Sequence, residues 1–199
     1  MPVNTPNTNF RFKAPHFSLI SVDNKYYALD DLMGKKGIVI AFICNHCPYV
    51  VKIIKRFVVE AEELKKMGIG TVAIMSNDVS AYPEDSFSNM QLFSSKYNFD
   101  FPYLYDSSQD IAKAYNAVCT PDIFGFNKNK LLKYRGRIDS GVINNDKNIK
   151  RELFYAMEQI SKIDKGPIKQ FNSFGCSIKW LSDEWYNKKN KYNWKIYKY

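Results

Sequence analysis

Two cysteines separated by two residues are the part of this sequence best suited to chemistry. They are Cys44 and Cys47, with Asn45 and His46 between them. When wound into a first helical turn, this spacing brings two sulfur atoms close enough for a disulfide bond. Zinc sites use the same spacing, so the surrounding sequence has to separate redox chemistry from metal binding.

The surrounding pattern places the pair between a buried strand and an amphipathic helix. An unbroken apolar run precedes it at 37–43, and apolar residues at helical spacing follow it over 48–67. A second apolar run at 71–75 completes a strand–helix–strand unit. A cysteine pair at the junction of strand and helix in such a unit is typical of a redox-active dithiol.

The position within the turn predicts different roles for the two thiols. The first thiol lies beside the unpaired amides at the helix start, which favour thiolate over thiol. We therefore expect Cys44 to attack a substrate disulfide and Cys47 to resolve the mixed disulfide that forms. Asn45 and His46 are expected to modulate the pair; the alternative for His46 is a solvated side chain without catalytic effect.

The remaining cysteines, Cys119 and Cys176, are candidate additional redox thiols. The alternative for each is a structural thiol, and a disulfide between the two stays open. A zinc site formed by all four cysteines is the competing chemistry, but these two lie 57 positions apart instead of forming a second short-spaced pair. We expect no metal, and no organic cofactor either, since the sequence lacks a glycine-rich phosphate loop.

The elements that must position these residues follow an α/β order. A hairpin is predicted at 17–29, and no regular structure is predicted beyond about residue 165. Periodicity further predicts helices at 83–97, 109–115 and 153–160, and strands at 101–105, 122–126 and 131–138.

Size and charge favour one domain with additions at both ends. A chain of 199 residues suits a single core. We predict an extended N-terminal lead at 1–15, the domain at 16–165, and a C-terminal extension with a basic aromatic tail at 166–199. The net charge is +9, and five lysines lie in the last fifteen residues. Single-stranded nucleic acid is the alternative interpretation of that tail; we expect no nucleic-acid or membrane partner and a cytoplasmic location.

Several short segments resemble one family. They are FICNHCPYV at 42–50, SND at 76–78 with YPED at 82–85, AVCTPD at 117–122, YRGRID at 134–139 and GCSIKW at 175–180. Over about residues 15–180 they are similar to the peroxiredoxin-like redoxins, an AhpC/TSA-related branch of the thioredoxin superfamily. The resemblance implies a thioredoxin-like α/β fold, with a central mixed sheet flanked by helices and an N-terminal β-hairpin extension. It also implies that Pro121 is cis and faces the dithiol, and that Thr120 offers its backbone to an extended substrate.

The sequence also departs from two patterns of that superfamily. Peroxiredoxins carry the motif Pro-x-x-x-Thr/Ser-x-x-Cys. When Cys47 is aligned with the cysteine of this motif, Ile40 stands at the proline position and Cys44 at the Thr/Ser position. Thioredoxin keeps an Asp six residues before its first cysteine, where this chain has Ile38. The sequence therefore predicts a thiol–disulfide oxidoreductase that acts on protein or small-molecule thiols and disulfides and is served by a thiol reductant system. A thiol peroxidase and a non-catalytic binding protein are the alternatives, and no oligomeric state is predicted.

Overall fold

The computed structural model describes residues 2–5, 11–142 and 148–181. The strands are β1 Pro2–Asn4, β2 Ser18–Ser21, β3 Tyr26–Ala28, β4 Gly37–Phe42, β5 Ile69–Met75, β6 Tyr103–Tyr105, β7 Cys119–Thr120, β8 Asp122–Asn127, β9 Leu132–Gly136 and β10 Phe174–Ser177. The helices are α1 Leu29–Leu32, α2 Pro48–Lys66, α3 Phe87–Lys96, α4 Asp110–Ala114 and α5 Glu152–Ile163, with 3₁₀ turns at Pro83–Asp85 and Ser140–Val142. The predicted helices and strands are therefore present, with ends that differ by a few residues.

A mixed sheet forms the centre of the molecule. One part has the order β3-β2-β6-β5 and the other β4-β8-β9. They join where the Ile43 amide, just past β4, donates to the Ile74 carbonyl of β5 at 3.0 Å. Strands β5 and β6 are parallel, whereas β4 and β8 pair antiparallel along their whole length. The β2–β3 hairpin lies at one edge, so the predicted mixed sheet and N-terminal hairpin are confirmed.

Strand β4 is buried along its whole length because both faces of the sheet are covered. Every residue of β4 is buried, which explains why its sequence shows no alternation. On one face, α2 and α5 pack their apolar stripes against the sheet. On the other face, Tyr115 contacts the rings of Phe42 and Phe124. This burial fixes the end of β4, and hence the position of the cysteine pair that follows it.

A second, small sheet joins both ends of the described chain. Its order is β1-β10-β7, and both pairings are antiparallel. Beyond residue 165, where the sequence predicts no regular structure, the chain forms strand β10. A four-residue strand shows little periodicity of its own, and its partners lie about 170 and 55 positions earlier, beyond the reach of any local pattern.

The three-part division of the chain remains a prediction, and the basic aromatic tail at 182–199 lies outside the described residues. In the part of the chain that the structure describes, no helix is both long enough and apolar enough to cross a membrane.

A buried ion pair holds the start of β8 in place. Arg135 of β9 lies 2.8 Å from the Asp122 carboxylate, and both side chains are nearly inaccessible to solvent. Arg135 also donates to the Asn116 carbonyl at 2.7 Å and covers the ring of Phe124. The Asp122 carboxylate in turn accepts from the Val118 amide at 3.3 Å. The pair therefore fixes both ends of the loop that contains Thr120 and Pro121.

We expect Asp122→Ala to lower the free energy of unfolding by about 3–5 kcal/mol, because it leaves the Arg135 charge buried without a partner. Denaturant unfolding followed by circular dichroism measures this. Glu62→Ala, which removes an exposed pair with Lys66 on α2, is the control and should leave the free energy of unfolding almost unchanged. Equal losses in the two variants would contradict this role of the buried pair.

Candidate active site

The cysteine pair lies at the junction of β4 and α2. Cys44 follows the strand, and Cys47 occupies the cap position of α2, whose first residue is Pro48. Proline suits this position because the first amide of a helix has no partner within the helix. Both thiols are buried: Cys44 is 1% exposed and Cys47 is fully inaccessible. Neither sulfur is open to solvent, in contrast to the solvent-facing nucleophile that the helix start suggests.

The loop that contains Thr120 and Pro121 faces the cysteine pair. The Thr120–Pro121 peptide bond is cis, which confirms the conformation implied by the family resemblance. The Thr120 hydroxyl lies 3.3 Å from Cys44 Sγ. The Cys47 thiol donates to the Thr120 carbonyl at 3.1 Å. Thr120 thus contacts both sulfurs, one through its side chain and one through its backbone.

Asp85 is a residue of this site that sequence reasoning missed. Its carboxylate is fully buried and accepts from the Asn45 amide and from the Asn77 side chain, each at 2.8 Å. The segment 82–85 drew attention only as part of the family resemblance. The burial of this carboxylate depends on the 3₁₀ turn that folds back over Asn45, which no local pattern predicts.

His46 is held by neighbouring side chains. Its Nδ1 lies 2.8 Å from the Asp85 carboxylate but forms no hydrogen bond with it. The ring stacks on Tyr82 at 5.5 Å between centroids, and the ammonium of Lys179 lies over the other ring of this stack, that of Tyr82. His46 is therefore part of a packed polar cluster, and the alternative of a freely solvated side chain is wrong.

Asn45 connects the same cluster to the sheet. Its side-chain amide donates to the Glu84 carbonyl at 3.1 Å, and its side-chain oxygen accepts from the Tyr103 hydroxyl at 3.0 Å. Asn45 thus ties the turn between the cysteines to β6 and to the 3₁₀ turn. These contacts support a positioning role for Asn45.

The contacts of the two thiols favour negative charge on Cys47, whereas the sequence predicts Cys44 as the thiolate. The pKa of Cys47 falls to about 5, first because the Cys44 thiol donates to it and then because the amides of Cys176 and Val50 lie near its sulfur. The Val50 amide acts here as a nearby dipole, since no capping hydrogen bond forms. The pKa of Cys44 rises well above its ordinary value because of its hydrogen bond to Cys47, its burial and the Asp85 charge. These contacts favour negative charge on Cys47, and the order of attack stays a prediction.

Ionisation of Cys47 gives up one contact and keeps several. A thiolate cannot donate to the Thr120 carbonyl, so that hydrogen bond is lost. The sulfur retains the donors that lower its pKa, which are the Cys44 thiol, the Cys176 amide and the Thr120 hydroxyl. Ionisation therefore costs Cys47 one hydrogen bond but keeps three donors around its sulfur, and this balance favours the thiolate form of Cys47.

The two remaining cysteines differ in their relation to the pair. Cys119 is fully buried, its pKa is raised by burial, and its thiol donates to the Pro121 carbonyl at 3.5 Å. Cys176 is partly exposed in β10 and packs against the cluster that contains Cys47, and its pKa rises to about 11, mainly through burial. The described geometry thus brings Cys176 to the dithiol and leaves Cys119 in the core.

A metal ligand set exists at the same place but differs from the four-cysteine zinc site considered above. One ligand atom each of Cys44, His46 and Asp85 lie within 4.8 Å of one another. The Asp85 oxygens already accept hydrogen bonds from Asn45 and Asn77. These three side chains are the described residues that could hold a metal ion.

Comparison with known proteins identifies the family. The model of the AhpC/TSA family matches residues 11–137, which is more than half of the chain. The chain belongs to the AhpC/TSA family. It is 29% identical over 124 residues to a Coxiella burnetii protein named as a peroxiredoxin, bcp, covering 62% of this chain and 73% of that protein.

Solved structures show the fold of this AhpC/TSA protein. An uncharacterised conserved protein of Geobacillus kaustophilus is 38% identical, with a TM-score of 0.86 over 90% of this chain and 96% of that chain. A secreted disulfide oxidoreductase of Mycobacterium tuberculosis has a TM-score of 0.51 at 20% identity, over 59% of this chain and 80% of that chain, and shares the fold. The thioredoxin-like α/β fold is therefore confirmed.

Titration of the reduced AhpC/TSA protein tests the assignment of the thiolate. Because the folded site stabilises the Cys47 thiolate, ultraviolet thiolate absorbance should rise with pH around a midpoint near 5. Cys47→Ser should abolish this transition, whereas Cys119→Ser, which keeps a donor to the Pro121 carbonyl, should not move it. A low-pH transition that survives in Cys47→Ser and disappears in Cys44→Ser would restore the assignment predicted from the sequence.

Proposed function

We propose that this protein is a thiol–disulfide oxidoreductase whose working pair is Cys44 and Cys47. The observation that carries the proposal is the contact of both sulfurs with Thr120, the residue before the cis proline. Two thiols that share one hydrogen-bonding residue and one negative charge are arranged to form and break a disulfide. Membership of a family of redox proteins supports the same conclusion.

In the first step, the Cys47 thiolate attacks one sulfur of a substrate disulfide. A bond forms between Cys47 Sγ and that sulfur, the substrate disulfide breaks, and the second substrate sulfur leaves as a thiolate. Only a thiolate is nucleophilic enough for this attack, and Cys47 holds the charge. This order is the reverse of the one predicted from the sequence.

In the second step, Cys44 attacks Cys47 Sγ and expels the first substrate sulfur as a thiolate. Its proton must leave, and the His46–Asp85 contact provides acceptors within 4.8 Å of Cys44 Sγ. This pair takes the place of the buried Asp that thioredoxin uses and this sequence lacks. The products are a reduced substrate dithiol and a Cys44–Cys47 disulfide, which a protein or small-molecule thiol reduces to complete the cycle.

Trapping with glutathione disulfide tests the mechanism. Every protein in this experiment also carries Cys176→Ser, so that only Cys44 and Cys47 react. Adding Cys44→Ser should leave glutathione bound to Cys47, because the resolving thiol is gone. Adding Cys47→Ser should slow adduct formation at neutral pH, because burial and the Asp85 charge keep Cys44 protonated. Intact-mass measurement after acid quenching follows both reactions.

Cys119→Ser in the same background is the matched control and should react like its parent. Rapid formation of a stable adduct on Cys44 in the protein that lacks Cys47 would reverse the order of attack. Unchanged reactivity in both variants would remove the pair from the mechanism.

A thiol peroxidase is the second candidate, and the closure of the site favours it. A peroxide is small enough to reach sulfurs that are at most 1% exposed, whereas a protein disulfide is not. The Cys47 thiolate would attack one peroxide oxygen, break the O–O bond and release water or an alcohol, depending on the peroxide, after protonation. Cys44 would then condense with the resulting sulfenic acid, releasing a second oxygen as water and forming the same disulfide.

Stopped-flow measurement of hydrogen peroxide consumption decides between these substrates. If the site is a peroxidase, the reduced protein should consume peroxide at least ~100-fold faster than free cysteine at the same pH, and Cys47→Ser should lose that excess. A rate equal to that of free cysteine, together with rapid reaction with glutathione disulfide, would end the peroxidase interpretation and leave the oxidoreductase.

A further inference from the structure

Strand β10 lies in the place that the fold offers to a substrate chain. It runs antiparallel to β7, with Cys176 opposite Thr120 and Ser177 opposite Cys119. Thr120 is the residue whose backbone was expected to hold an extended substrate. The backbone groups available for that purpose are therefore paired with the protein's own chain.

The approach of β10 to the Thr120–Pro121 loop depends on a glycine. A Cβ atom at Gly175 would lie 2.1 Å from the Thr120 carbonyl oxygen and 3.0 Å from the Pro121 nitrogen. Both are backbone atoms of the clamped loop, so they cannot move aside as a flexible side chain would. Only glycine permits β10 to lie this close to the cis-proline loop.

Hydrogen bonds hold β10 from both sides. Before it, the buried Ser173 hydroxyl donates to the Gly136 carbonyl at 2.6 Å. After it, the Lys179 amide donates to the Asn77 side chain at 2.9 Å, and the Gln109 side chain donates to the Lys179 carbonyl at 2.7 Å. Phe174 also packs edge-on against Tyr49 in the first turn of α2. The strand is thus a fixed part of the site.

Cys176 is the residue that β10 presents to the dithiol. It lies opposite Thr120, whose carbonyl accepts from the Cys47 thiol, and it packs against the cluster that contains both Cys44 and Cys47. Cys44 and Cys176 are therefore both close to Cys47. A substrate cysteine bound along Thr120 would occupy the position that Cys176 holds.

We propose that β10 is an internal substrate strand whose Cys176 acts as a third redox thiol, exchanging a disulfide with Cys47. The inference rests on the proposed function, because that function supplies the Cys44–Cys47 disulfide. The strand closes the site in the reduced protein, and the exchange makes the closure covalent. A protein substrate reaches Thr120 only after β10 leaves.

The exchange needs no further oxidant. The deprotonated sulfur of Cys176 attacks Cys47 Sγ, a Cys47–Cys176 bond forms, the Cys44–Cys47 bond breaks, and Cys44 leaves as a thiolate. The proton lost by Cys176 is matched by the one that Cys44 gains. The same attack on a mixed disulfide at Cys47 releases the substrate sulfur, so Cys176 duplicates the resolving role of Cys44.

Disulfide mapping of the full chain after oxidation with glutathione disulfide tests the proposal. After alkylation in acid, nonreduced peptides of the wild type should contain both Cys44–Cys47 and Cys47–Cys176 disulfides. Cys44→Ser should convert its glutathione adduct into the Cys47–Cys176 disulfide, and Cys44→Ser/Cys176→Ser should keep the adduct. Cys119→Ser is the matched control and should give the wild-type mixture.

Gly175→Ala keeps all four cysteines and tests the placement of the strand. A displacement of about 1 Å costs roughly 100-fold in a reaction between positioned groups, so Cys47–Cys176 formation should slow by that order. Reaction of the Cys44–Cys47 pair with glutathione disulfide should become faster, because the closing strand is displaced. Circular dichroism confirms that the variant keeps its fold.

Two results would overturn the inference in distinguishable ways. A persistent glutathione adduct on Cys47 in Cys44→Ser, with Cys44–Cys47 alone in the wild type, would refute the role of Cys176 and leave the proposed function intact. Absence of both disulfides from the wild type would refute the proposed function and the inference together.

Discussion

Thr120 is the point at which three distant parts of the chain meet, and the site depends on its position. Its hydroxyl contacts Cys44, its carbonyl contacts Cys47, and its backbone pairs with Cys176. These contacts hold only if the loop stays fixed, and the buried Arg135–Asp122 pair fixes it. One buried charge pair in the sheet therefore determines the spacing of three thiols.

Burial also decides which sulfur is charged. At an exposed helix start, amide dipoles alone would favour the first cysteine. Here Cys44 faces the buried Asp85 carboxylate, and Cys47 is surrounded by donors from α2, β10 and Cys44 itself. Removing water strengthens each of these interactions, so the contacts of the fold outweigh the position in the motif.

The sequence was sufficient for the parts of the fold with strong local patterns. The apolar run of β4, the amphipathic α2 and the hairpin at the edge are each specified by neighbouring residues, and the cysteine pair was placed correctly between them. Asp85 and β10 were missed because their roles come from long-range contacts: Asp85 is buried by a turn that folds back on Asn45, and β10 pairs with β1 and β7. The contacts that favour a Cys47 thiolate are equally invisible to local patterns, since they involve Cys176 and Asp85, both distant along the chain.

The pairing of β1 with β10 extends the influence of the site to the beginning of the chain. Residues 2–4 lie along the outer edge of β10, and the Thr5 amide donates to the Ser173 carbonyl at 3.2 Å. Any movement that frees Thr120 must break these bonds or carry β1 along with β10. Strand β1 is therefore part of the structure that closes the site, although it lies at the opposite end of the sequence from β10.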